Sequence, residues 1–123
     1  MSQTNLAAAI ALHKAGRLDE ASAFYRKILA TDPDSADANY LLGLIAFQRN
    51  YHEEALEYFR RAHLLAPENL KVHREYLRIS LMTNMFAEAQ RLAEQFIAKK
   101  PDEPETYYCL HQACYEQGGP REI

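Results

Sequence analysis

Few side chains in this chain have the types and spacing that chemistry requires. Cys109, His111 and Cys114 come closest to a metal-binding set. On a helix they point to about 0°, 200° and 140°, so they cannot converge on one ion. His13, His52, His63 and His73 have no partner at ligand spacing. Glu53 and Glu54 are adjacent carboxylates, but at a helix start they complement its positive end. Lys99 and Lys100 play the mirror role at a helix end. There is no Gly-rich phosphate loop and no Gly-x-Ser-x-Gly elbow. The residues therefore point to no catalytic group, no metal and no cofactor.

Composition narrows the class further. Of 123 residues, 48% are hydrophobic and 25% charged, the balance of one folded domain. The net charge of −3 argues against a nucleic-acid binder. No apolar run reaches the length of a membrane span. Leu6 to Leu12 is a short apolar run, but Lys14 follows it where a signal peptide would carry its basic residues before it. Cys109 and Cys114 would diverge by about 140° on a helix, too far for a mutual disulfide. Their reduced state fits a cytoplasmic location.

The elements that position these residues follow a repeat. Pro33, Pro67 and Pro101 are 34 residues apart, as are Ala21, Ala55 and Ala89. Gly16, Asn50, Asn84 and Gly118 keep the same period. Gly and Asn accept positive φ, so each of the last set closes a first helix in a left-handed cap. The prolines stop a second helix, and Asp34 or Ser35 can cap the next one. Apolar residues at three- and four-residue spacing, such as Leu41, Leu42 and Ile45, then Ala55, Phe59 and Ala62, fill the intervals. The pattern predicts seven helices and no strand. They form repeats at about 2–35, 36–69 and 70–103 and a partial repeat 104–123. The alanine ladder, with Ala9 and Gly43, allows close approach of paired helices, and Tyr25 and Phe59 fill the adjacent grooves.

Asn39-x2-Leu42-Gly43-x2-Ala46, followed by Ala55-x3-Phe59, Ala62 and Pro67, resembles the tetratricopeptide repeat (TPR), a 34-residue helix–turn–helix unit. The resemblance covers essentially the whole chain. It implies an all-α, right-handed solenoid of about 3.5 repeats in a single domain of 1–123. Asn5, Asn39 and His73 depart from it, standing where the family often has Trp. Leu77 and Ala93 reverse its small and large positions in the third repeat.

By matching positions, the resemblance implies a concave groove lined by the first helix of each repeat. Its residues are Leu6, Ile10 and His13, then Asp37, Tyr40, Leu44 and Phe47. Lys71, Arg74, Arg78 and Leu81 follow, then Glu105, Tyr108, Gln112 and Tyr115. Steps of three and four put each set on one helix face. The expected function is non-enzymatic: a protein–protein interaction module that takes a peptide or protein segment, with an acidic stretch meeting the three cations. The five positions that in some family members clamp a C-terminal carboxylate are here Leu6, Ile10, Leu41, Lys71 and Glu75, and only Lys71 suits that role.

The segment Leu12 to Ala21 resembles bacterial TPR segments fused ahead of glycosyltransferases, sulfotransferases or methyltransferases. The alternative expectation is thus the docking domain of a larger enzyme whose catalytic part follows residue 123. Gly118-Gly119-Pro120 reads as a turn into a further helix. Tyr107, Leu110 and Cys114 lie on the face such a helix would cover, so a longer chain or a homodimer through the C-terminal helix is expected there.

Overall fold

In the computed structural model, Gly16, Asn50, Asn84 and Gly118 have φ of 83°, 64°, 63° and 92°. These are the left-handed positions that the 34-residue ladder requires. The structure describes residues 2–118, with side chains from Leu6 onward. Among them are seven α-helices and no strand: α1 (Ser2–Lys14), α2 (Leu18–Thr31), α3 (Ala36–Gln48), α4 (His52–Leu65), α5 (Leu70–Met82), α6 (Phe86–Lys99) and α7 (Pro104–Glu116). The Asn5 side chain and the turn expected at Gly119-Pro120 lie outside the described residues.

Local signals set the helix ends. Ser35 caps α3 by accepting the Ala38 N–H at 3.2 Å. Asn69 caps α5, its Oδ1 accepting the N–H groups of Lys71 and Val72 at 3.0 and 3.3 Å. Pro104 opens α7 at a position where its missing N–H has no helical partner to lose. Pro33, Pro67 and Pro101 each stand two residues beyond a second helix.

The chain divides into two compact units, Met1–Ala66 and Pro67–Ile123. In the first, α1 packs on α2, α2 on α3 and α3 on α4. Ala9, Ala21, Tyr25, Ile28, Ala38, Leu42 and Ile45 form its buried centre. Gly43 lets α3 and α4 approach so closely that its surface meets the Phe59 ring. In the second unit α6 packs on both α5 and α7. There Leu77 and Ala93 are both fully buried, one on each of the packed helices α5 and α6. The reversed sizes leave the total volume at these positions nearly unchanged, which cores tolerate.

Two departures from the repeat pattern are filled by hydrogen-bonded polar groups. Asn39, buried in α3, donates from Nδ2 to the Ser35 carbonyl at 3.0 Å. His73, buried in α5, donates from Nε2 to the Leu92 carbonyl at 2.8 Å and meets the Phe96 ring edge-on. Burial holds the His73 pKa below the usual histidine value, and the positive charges of Lys99 and Arg91 add to this. A flat side chain thus takes the place of the larger indole while its ring N–H is satisfied.

Candidate functional site

The first unit brings its expected groove residues onto exposed or half-buried surface. Leu6 and Ile10 on α1, and Tyr40 and Leu44 on α3, are half-buried, while Asp37 is exposed. Phe47 ends the α3 strip with 36% of its surface exposed, its ring 5.8 Å from that of His52. Tyr40 leans on Phe59 with ring centroids 5.8 Å apart, so it is braced from beneath. His13 joins the two helices. Its Nε2 donates to Gln48 Oε1 at 3.1 Å, and its Nδ1 accepts from the Tyr25 hydroxyl at 3.4 Å. Burial raises the Tyr25 pKa, which keeps that hydroxyl protonated and able to donate. Gln48 was not legible as a site residue, because it lies 35 residues from His13 and only the fold brings the two side chains together.

In the second unit two of the three expected cations are paired with acids of that unit. Lys71 is exposed, but Arg74 and Arg78 are committed to carboxylates of their own unit. Arg74 pairs with Glu103 at 3.0 Å and its guanidinium lies over the Phe96 ring. Arg78 reaches Glu105 at 3.0 Å and Glu75 at 3.3 Å. The acids that meet these two arginines come from the start of α7 and, for Arg78, also from Glu75 on α5. Leu81 and Gln112 are half-buried, and Tyr108 and Tyr115 are exposed on α7.

On α7, Thr106, Cys109 and Ala113 are buried, Leu110 and Cys114 are half-buried at the edge of that packed side, and Tyr107 is exposed. Tyr107 is 45% exposed, and its hydroxyl donates to the Pro101 carbonyl at 2.8 Å. The two cysteines are free, and burial pushes the Cys109 thiol pKa up, away from nucleophilic use. Among the described residues no group of three or more His, Cys, Asp or Glu could hold a metal. None of the described helices is long and apolar enough to cross a membrane.

Paired antiparallel helices closed by left-handed caps at a fixed period define a helical-repeat protein. Family models described as tetratricopeptide repeat match residues 6–69 and 46–114, and the chain belongs to that family. Solved TPR structures share its fold. MamA AMB-1 matches with a TM-score of 0.89 and 20% identity, over 99% of this chain and 67% of that one. YrrB, described as a TPR protein with an unusual peptide-binding site, matches with a TM-score of 0.83 and 20% identity, over 93% and 59%. A chain in the structure of Naa15/Naa10 bound to HypK-THB matches with a TM-score of 0.85 and 19% identity. This chain covers 99% of itself in that match but only 18% of the longer one. No curated protein matches by sequence.

Proposed function

We propose that the chain is a non-enzymatic interaction module that binds a peptide or protein segment on the α1–α3 face of its first unit. One observation carries this reading: Phe47 stands 36% exposed at the end of a strip that also holds Tyr40 and Leu44. Aromatic side chains backed by packed neighbours are common anchors of interfaces. The His13–Gln48 hydrogen bond fixes the two helices that would flank the ligand. A partner segment with apolar side chains in helical or extended form suits this surface. The peptide-binding description of YrrB, a protein of the same fold, supports the assignment.

The test is a peptide-array or pull-down partner measured by calorimetry. Phe47→Ala should weaken it by about 2 kcal/mol while the helical circular dichroism is unchanged. Unaltered affinity in the folded variant would remove this face from the reading. Tyr40→Ala should weaken the partner too, with some loss of stability because Tyr40 also packs on Phe59.

A second copy of the chain is a further candidate partner, favoured by the exposed Tyr107 and the half-buried Leu110 and Cys114 of α7. Light scattering should then show dimer in the native chain and monomer in Leu110→Glu. Monomer at all concentrations would exclude this pairing.

A further inference from the structure

On α3, the side opposite the peptide face floors a second concavity. Leu42 lies about 200° around the helix from Tyr40. With Ile45 it forms the apolar floor of a narrow cleft of about 40 Å³ within the first unit. One wall is α2, with Ser22 and Arg26; the other is the start of α4, with Glu54; and Arg49 closes the end of α3. The space exceeds the roughly 10–15 Å³ that a single water needs.

The polar groups around this cleft have unused donors. Ser22 is 2% exposed, and its Oγ has no hydrogen-bond partner. Arg26 has no ion-pair or hydrogen-bond partner among the described residues. Arg49 is paired with Asp19 at 2.5 Å through one terminal nitrogen, which leaves other N–H groups of its five for a ligand. A buried hydroxyl and two arginines lining one cleft suit an anionic acceptor. Glu54 on the facing wall repels a second negative charge, so a monovalent carboxylate fits better than a phosphate dianion. The apolar floor suits a short methylene stem.

We infer that this cleft receives the carboxylate of an acidic side chain from a partner protein, held by Ser22, Arg26 and Arg49. It lies on the other side of α3 from the proposed peptide face and does not depend on that reading. Sequence reading passed it over because Ser22 follows Ala21 in the small-residue ladder and Arg26 has the look of a solvated helix position.

Sodium butyrate mimics the stem and carboxylate. Titrated into the isotope-labelled chain at constant ionic strength, it should shift the amide signals of Ser22, Arg26 and Tyr58 and saturate. Arg26→Ala breaks no ion pair or hydrogen bond among the described residues and should weaken that binding by about tenfold; Ser22→Ala should weaken it as well. Shifts that sodium chloride reproduces, or that persist unchanged in Arg26→Ala, would overturn the site. Saturation by inorganic phosphate at lower concentration than butyrate would overturn the carboxylate assignment. No shift with either anion would overturn both.

Discussion

The Phe59 ring occupies the space that a side chain at position 43 would need: a β-carbon built on Gly43 would lie 2.6 Å from Phe59 Cε1 and 2.8 Å from Cδ1. The ring cannot swing aside easily, since Phe59 is 1% exposed and Tyr40 packs against it. The close approach of α3 and α4 and the bracing of the aromatic face are thus one arrangement. Gly43→Ala gains about 1 kcal/mol of helix propensity. Overpacking a rigid site costs about 1–3 kcal/mol. The expected outcome is a net loss of about 1 kcal/mol by urea unfolding, and a smaller loss in a Phe59→Leu background. An unchanged midpoint in the single variant would show that the ring yields.

Asn84 has φ of 63° at the end of α5, where its N–H donates to the Leu81 carbonyl at 3.1 Å. Asparagine tolerates this conformation better than residues with larger or branched side chains. Asn84→Ala should lower stability by about 1 kcal/mol. Asn84→Gly should lose nothing, because glycine adopts the conformation without strain. Equal melting temperatures for the two variants would contradict this account.

These caps were legible because they are local. Gly or Asn at one position and Pro seventeen residues on declare two helix ends whatever surrounds them. The close packing at Gly43 was also legible, since the small and large positions recur with the period. The ion pairs were not. Arg74 meets Glu103 across 29 residues and Arg78 meets Glu105 across 27, through long side chains that follow no periodic rule. A row of three cations on one helix looks like an open basic surface until the neighbouring helix is placed. The orphaned Ser22 hydroxyl was hidden for a related reason: the ladder specifies small size at that level of the helix but not polarity.

Arg74 is held by Glu103, and Arg78 is shared between Glu105 and Glu75, so neutralising Glu103 and Glu105 frees the first arginine and loosens the second. Glu103→Gln with Glu105→Gln should therefore increase the affinity of an acidic peptide for the second unit relative to the native chain. The gain should shrink as salt rises, since exposed charges are screened over about 8 Å at physiological ionic strength. The stability cost should stay within about 1 kcal/mol per pair, because these are surface ion pairs. Fluorescence anisotropy with labelled acidic and basic peptides distinguishes the outcomes. Equal affinities for the native and doubly substituted chains would show that the internal pairs do not limit access.

His73 gives the chain a defined pH response. Its pKa in the folded state lies below the ordinary 6.5, chiefly through burial, while the Leu92 hydrogen bond opposes the shift. The unfolded chain therefore takes up a proton near pH 6.5 that the folded chain refuses. The contribution to stability is complete above that pH and is lost as pH falls below it, until the folded histidine also protonates. The loss is at most about 1.4 kcal/mol per pH unit for one proton. His73→Phe replaces the ring with one that cannot titrate. Urea unfolding at about pH 7.5, 6 and 5 should then show a shallower decline than in the native chain. The other histidines contribute equally to both, so the difference between the two slopes isolates His73. Parallel slopes would mean that the folded chain accommodates the charged ring and that its burial does not govern the acid response.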